Sequence, residues 1–324
     1  DIKSPGFWSQ KMEPLKAFFR PLVNRYRAYS TRNPKKAKAL LIFSSLFAAG
    51  LGALLLFIAL IMMGVFGHMP SKKDLRNINQ NLASEVYTED GVLLGRYFVE
   101  NRLPANLEDI SPNIINALIS TEDARFFEHG GVDFRAAMRV IFKGVLGGDE
   151  SAGGGSTLSQ QLAKNLYPRK RLGALTTPVA KIKEMIIASR LEGIYSKNEL
   201  LGLYLNTVPF SDNVFGIRVA CKRFFDTTPK DIKTEQAAVL IGMLKATTAY
   251  NPRSNPDKAK ERRNVVLTRM VKYEKLEQAT CDSLKKLPIV LKYTPENQAD
   301  GMAGYFREHL RLELETELKK HTRP

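Results

Sequence analysis

The chain has 324 residues, 44% of them apolar, enough for a buried core and for about two ordinary domains, or one domain with appendages. Its formal charge of +16 points to an anionic partner: nucleic acid, a membrane surface or a phosphorylated substrate. Two cysteines, Cys221 and Cys281, exclude a disulfide scaffold and are expected to be free or packed, and four scattered histidines offer no zinc-ligand spacing.

In chain order, residues 1–38 come first, with ten Lys and Arg against Asp1 and Glu13. The run 39–67 that follows has no charged residue. A membrane-crossing helix needs about 20 apolar residues, and this run is too long for the core of a signal peptide. Its basic flank places the arm in the cytoplasm and the rest of the chain outside, which argues against nucleic acid as the partner. Residues 84–102 read as two short strands about Asp90-Gly91, a strong hairpin signal. From 104 to 273 the pattern is helical. Ser111 with Pro112 opens one helix, Ser196 with Glu199 forms a capping box, and further helices are expected over 214–225, 234–246 and 257–274. "LPIVLKY" (287–293) reads as a strand and 301–320 as a charged helix. Strand and helix do not alternate, so a doubly wound sheet is excluded.

Four segments bear chemistry-capable residues. In "SPNIINALISTEDARFFEHGG", Ile115, Leu118 and Ile119 lie at helical spacing and Glu122 is the next position on that stripe. Either Glu122 is a core-edge carboxylate placed for proton transfer, or it ends the helix and pairs with Arg125. "GGDESAGGGSTLSQQLAKNLYPRK" (147–170) is a Gly-rich loop entering a helix, with Thr157 and Gln160 at capping-box spacing and Lys164 one turn on. Such a helix start can hold an anion or be an ordinary capped loop, and it is not a Walker A sequence. In "AKIKEMIIASRLEGIYSKNELLGLYLN" (180–206), Ile182, Met185, Ile186 and Ser189 define one face and leave Glu184 near its edge, where a carboxylate is usually solvated. "YNPRSNPDKAKERRNVVL" puts Arg262 and Arg263 side by side, fit for a phosphate or for a solvated helix face.

Taken in order, "EDARFFEHGG", "GGSTLSQQLAKN", "KIKEM", "YSKNELLGLYLNTVPF…FGI" and "AYNPRSNPDKAKERRNVVL" resemble the five motifs of the peptidoglycan glycosyltransferase domain shared by class A penicillin-binding proteins and monofunctional transglycosylases. The resemblance spans about 85–320, and five ordered motifs are far more specific than any one of them. It implies a mainly α fold: a single N-terminal transmembrane helix followed by a lysozyme-like helical domain with a membrane-touching lobe and a small β linker element. The implied segments are a basic cytoplasmic arm (1–38), the membrane helix (39–67), a linker with the hairpin (68–103), the glycosyltransferase domain (104–275) and the start of a linker (276–324) toward a transpeptidase domain that is absent. "RAAMRVIFKGVLGG" (135–148) is the lobe segment implied, or else plain core helix.

The implied activity is polymerisation of lipid II, and of the growing lipid-linked glycan, into β-1,4 strands at the outer face of the cytoplasmic membrane. The resemblance makes Glu122 the general base and Glu184 the carboxylate that positions the pyrophosphate region. Asp123, Phe126 and His129 match flanking positions that orient and pack. Ser156, Gln160, Gln161 and Lys164, with Lys181, Asn206 and Arg262, match polar and basic positions that meet the substrate, where a departing pyrophosphate needs fixed positive charge. No cofactor is required, although some members are assisted by Mg²⁺ or another divalent cation, and no metal site is predicted. The third motif usually begins Arg-Lys, whereas here it is Ala180-Lys181, which removes one phosphate-side cation unless Lys183 or Arg190 reaches in. "SLKK" (283–286) lacks the partner motifs of a transpeptidase. Besides membrane lipids, cell-wall synthesis proteins are implied partners. Two rivals stand beside this reading. One is a catalytically weak membrane scaffold of cell-wall synthesis. The other is a lytic transglycosylase, which needs a proton-donating acid but no cluster of phosphate-binding cations.

Overall fold

A computed structural model describes residues 7–78, 84–91, 93–97, 101–140, 154–294 and 304–321. It divides into two compact units, Asp1–Met69 and Pro70–Pro324. The protein is mainly α.

In the first unit, α1 (Phe7–Arg32) is followed by α2 (Pro34–Met62). Pro34 stands in the first turn of α2, where its missing N–H costs no helical bond. By length and composition α2 can cross a membrane. Its limits differ from the 39–67 read from hydropathy. The helix starts five residues earlier, taking in part of the basic arm, and Gly64 (φ +83°) and Gly67 (φ +102°) turn the chain before the apolar run ends.

The second unit opens with α3 (Lys72–Arg76), then an antiparallel pair, β1 (Ser84–Tyr87) and β2 (Leu93–Tyr97). Gly91, at φ +82°, makes the turn that Asp90-Gly91 announced. The helical body consists of α4 (Pro112–Glu122), α5 (Phe134–Arg139), α6 (Leu158–Leu166), α7 (Thr176–Glu192), α8 (Lys197–Thr207), α9 (Ile217–Phe225), α10 (Thr234–Met243), α11 (Pro256–Lys272), α12 (Gln278–Lys286) and α13 (Gly304–His321). Two packed groups form its core. In one, Ile114, Ala117 and Leu118 of α4 meet Ala237, Ala238 and Ile241 of α10 and Val266, Leu267 and Met270 of α11, all buried. In the other, α6 packs on α7 and α8 through Leu158, Leu162, Ile187, Leu191, Leu201 and Leu205. Each fully buried Leu or Ile of this kind stabilises the fold by about 1.5–3 kcal/mol.

Three readings of the sequence need correction. The helix expected from 214 starts at Ile217, because Val214–Phe215 form a strand, β4, parallel to β3 (Asn101–Arg102), and Gly216 (φ +81°) turns the chain into α9. The segment 287–293 forms no strand and, among the described residues, pairs with none. The N–H groups of Lys292 and Thr294 instead donate to the carbonyls of Phe224 and Arg223 (3.0 Å each), two of the carbonyls that the end of α9 leaves without helical partners. On α7 the buried face is Val179, Ala180, Glu184, Ile187, Ala188 and Leu191, whereas Ser189 is exposed. Glu184 therefore lies on the core stripe and not at the edge of an apolar face. Cys221 and Cys281 are buried free thiols, and burial pushes the Cys221 thiol far up. Of the lobe segment only 135–140 is described, with Met138 exposed; the remainder, and the start of the Gly-rich loop, lie outside the described residues.

Candidate active site

A cleft of about 450 Å³ is lined by Glu122 from the end of α4, by Ser156, Gln160, Gln161 and Lys164 on and just before α6, by Lys181 and Glu184 of α7, by Tyr204 of α8, and by Arg169 and Lys245 from loops. Seven residues singled out in the sequence thus converge on one cavity from three helices.

The end of α4 is fixed by Asp123. Its buried carboxylate accepts the N–H of Leu158 (3.0 Å), the first residue of α6, and His129 Nε2 lies 3.0 Å from the same oxygen. The N–H of Gly131 donates to His129 Nδ1 (3.2 Å), so Nε2 carries the proton and donates to Asp123. Thr157 caps α6, accepting from Gln160 N–H (3.2 Å) and donating to the Gly131 carbonyl (2.6 Å). Gly131 has φ +94°, and a Cβ there would come within 2.8 Å of the Ala188 backbone, so only glycine lets this loop lie against α7. Two consequences follow for the anion site proposed from the Gly-rich loop. The α6 N-terminus is occupied by the protein's own Asp123 and Thr157, and Gln160 turns its side chain to the cleft instead of closing a capping box.

Glu122 does not pair with Arg125, which binds Asp133 instead (Nε to Oδ2 3.1 Å). One Glu122 oxygen accepts from Gln161 Nε2 (2.9 Å), and the other faces Arg262 Nη2 at 3.8 Å, beyond hydrogen-bond reach. Its side chain is 16% exposed, so the carboxylate is held yet open to the cleft. Gln161 is itself held: Tyr204 O–H donates to its carbonyl oxygen (3.0 Å). Burial, with the nearby Glu122 charge, raises the Tyr204 phenol well above its ordinary range, which keeps it a donor. Arg262 approaches because Gly242 of α10 has no side chain where a Cβ would meet the Arg262 stem at 3.1 Å. Burial disfavours the Arg262 charge and Glu122 partly offsets this.

Glu184, only 6% exposed, is held among the described residues by cations alone. Arg169 donates to Oε1 through Nε (2.9 Å), with Nη2 at ion-pair distance from the same oxygen (2.8 Å), and Lys181 Nζ lies 2.9 Å from Oε2. Lys181 also donates to Ser156 Oγ (2.9 Å). Lys164 points into the cleft with no side-chain bond or ion pair among the described residues.

Five of the expected site residues do not line the cavity: Asp123, Phe126, His129, Asn206 and Arg262. Phe126 is buried beneath the Lys197 ammonium (4.4 Å) and edge-on to His129, where it packs the α4 corner. Asp123 and His129 form the strut behind the cleft. Asn206 brackets Ala105, accepting its N–H (2.9 Å) and donating to its carbonyl (3.0 Å), away from the cleft. Of the two cations proposed to replace the missing motif arginine, Arg190 donates to the Pro70 carbonyl (2.6 Å) and Lys183 does not line the cavity. Arg169, Tyr204 and Lys245 were missed. Tyr204 reads as a core aromatic on an apolar helix, and Arg169 stands in a basic loop fifteen residues before its partner, where no periodicity links them. Among the described residues no group of three or more His, Cys, Asp or Glu could hold a metal ion.

Fold and site together define a mainly helical domain whose cleft sets two carboxylates among cations, in a chain that also carries a helix long and apolar enough to cross a membrane. The model of the Transglycosylase family matches residues 90–271. The chain is 34% identical over 250 residues to penicillin-binding protein 1A of Escherichia coli, covering 76% of this chain and 28% of that protein. It is 35% identical over 235 residues to penicillin-binding protein 1F of Bacillus subtilis, covering 72% and 32%. A crystal structure of penicillin-binding protein 1A from Haemophilus influenzae aligns with TM-score 0.41 and 22% identity over 73% of this chain and 24% of that one. The chain belongs to the transglycosylase family, and carries the peptidoglycan glycosyltransferase domain of penicillin-binding-protein-1-type proteins. It spans about a third of the length of these curated relatives.

Proposed function

We propose that this cleft polymerises lipid II into β-1,4 glycan strands. Glu122 takes the proton of the acceptor sugar 4-hydroxyl, the acceptor oxygen bonds to C1 of the donor, and the bond from C1 to the diphosphate breaks with inversion, releasing undecaprenyl pyrophosphate. The observation that carries this reading is the asymmetry of the two carboxylates. Among the described residues Glu122 keeps one oxygen without a hydrogen bond, at 3.8 Å from Arg262, as a base needs. Glu184 is neutralised by Lys181 and Arg169, with Lys164 and Lys245 on the same cavity, so the charge around it suits a departing diphosphate. A glycan-cleaving acid has no use for that surplus of cations.

In this reading α2 anchors the chain in the cytoplasmic membrane, the basic arm stays in the cytoplasm and the glycosyltransferase domain (104–275) works outside. The segments 68–103 and 276–324 are linkers, and membrane lipids and other cell-wall synthesis proteins are the partners. The test is polymerisation of purified lipid-linked disaccharide precursor in detergent, followed on a gel. The parent chain gives a ladder of strands and Glu122→Gln gives none. A ladder from the variant would remove Glu122 as the base. No ladder from a folded parent that binds precursor would favour a scaffold.

A further inference from the structure

Two prolines, Pro14 and Pro21, stand inside α1, and each removes a helical hydrogen bond. The stability of α1 therefore depends more on what covers it than on its own backbone. Helical spacing puts Trp8, Leu15, Phe18, Phe19, Leu22 and Tyr26 on one side of the helix. Lys16, Arg20 and Arg27 follow one border of that side, and Arg25 and Arg32 follow the other. In all, α1 has six Lys and Arg against Glu13. Val23, also on the apolar side, is 46% exposed, and Arg20, Arg25 and Arg27 are exposed. At its end α1 turns away from the axis of α2. Asn33 leaves the helical region (φ −140°, ψ 68°), and the Tyr26 hydroxyl donates to the Ala37 carbonyl (3.0 Å). In one straight helix these two residues would stand about 16 Å apart along the axis, beyond the reach of a tyrosine. The bend lies at the basic end of α2, beside Lys35, Lys36 and Lys38.

We propose that α1 lies in the surface of the membrane that α2 enters, its apolar side among the upper acyl chains and its basic borders on anionic lipid headgroups. This rests on reading α2 as the anchor and is independent of the chemistry in the cleft. An apolar side bordered on both edges by Lys and Arg is the pattern of an interfacial helix. The long stems run along the apolar boundary while the charges stay at the headgroups. Two features favour anionic lipid over a second copy of the chain. Two copies meeting through these apolar sides would bring basic borders together, whereas an anionic surface neutralises them. The bend at Asn33 also keeps α1 next to the end of α2, so a membrane that holds α2 is always within its reach.

Trp8 is the one tryptophan of the chain, so its emission reports α1 alone. The experiment places the full chain in nanodiscs of phosphatidylcholine with or without phosphatidylglycerol. It reads the Trp8 emission maximum, quenching by acrylamide in the water, and quenching by lipids brominated on the upper acyl chain. Expected in the anionic discs are a shift to shorter wavelength, loss of acrylamide quenching and strong quenching by the brominated lipid. Neutral discs, or anionic discs in about 1 M salt, are expected to return all three toward a water-exposed indole. Lys16→Gln/Arg20→Gln/Arg27→Gln removes three charges and is expected to move the surface equilibrium about 100-fold toward water, with the same return. Trp8 fully open to acrylamide in anionic discs would overturn the proposal. So would an indole shielded from both quenchers, which would mean that a second copy or another part of the chain covers α1. Equal burial in neutral and anionic discs would overturn the assignment to anionic lipid. If the triple variant fails to fold, the parent in the two kinds of disc decides alone. A chain that stays out of the discs, yet whose Trp8 shifts on vesicles of the anionic composition, would uphold the surface helix and count against α2 as the anchor.

Discussion

Glu122 and Glu184 share one cleft but are held in opposite ways. Glu122 stands at the last turn of α4, with a neutral amide on one oxygen and a guanidinium beyond bonding distance from the other. Glu184 sits in the middle of α7, on its buried stripe, and among the described residues every bond it makes is to a cation. A carboxylate that must receive a proton cannot have both oxygens tied to cations. One that serves to organise positive charge must be so tied. On the proposed function, the contrast assigns Glu122 to the reaction and Glu184 to shaping the charge around a leaving diphosphate.

The largest expected effect is on Glu122 itself. Glu122→Gln keeps the shape and the Gln161 contact but loses the base, and turnover falls by about 10³-fold, within the range for general base catalysis, with precursor affinity unchanged. Glu184→Gln leaves Arg169 and Lys181 without their anion. Turnover is expected to drop by about 10²-fold, with a raised KM as the distinguishing sign. If both variants lose only kcat, the division of roles fails.

Next is the support of Glu122. Gln161→Ala removes the amide donor and leaves the buried Tyr204 hydroxyl without its acceptor. Rate is expected to fall about tenfold, and stability by about 1–3 kcal/mol for the orphaned buried group, read from thermal melts. Tyr204→Phe is expected to give the milder rate loss and an alkaline limb identical to the parent's. Its phenol is raised by burial and by Glu122, so it stays protonated wherever the parent is active.

How much of this was legible in the sequence differs from element to element. Glu122 was reachable because the stripe of Ile115, Leu118 and Ile119 runs into it, although α4 buries most deeply through Ile114, Ala117 and Leu118, so Glu122 extends the margin of that face. Glu184 was misread as an edge residue, because isoleucines and a methionine lie on both sides of α7 and hydropathy cannot tell which flank is covered. The partnership of Arg169 with Glu184 is tertiary and has no sequence period. Likewise 287–293 has strand composition but spends its N–H groups on the end of α9, a choice that depends on where α9 stops.

The strut behind the site gives smaller effects. Asp123→Asn weakens the charge-assisted bonds to Leu158 N–H and His129 and is expected to destabilise by about 1.5–3 kcal/mol. The smallest is pH-dependent. Burial raises the Asp133 carboxyl, but the Ala136 N–H and Arg125 outweigh it, and its pKa is lowered. A lowered folded value stabilises above the unfolded carboxylate pKa of about 4 and loses that stabilisation as pH falls through the folded value. The melting-temperature gap between parent and Asp133→Asn is therefore expected to be constant near neutrality and to close on acidification.

The most direct test of the central claim measures precursor binding and strand synthesis on the same preparations of Glu122→Gln and Glu184→Gln. The account predicts that Glu122→Gln binds precursor like the parent and makes no strands, whereas Glu184→Gln binds it weakly and makes few. Strand synthesis by Glu122→Gln above about a thousandth of the parent rate, or normal binding by Glu184→Gln, would contradict it.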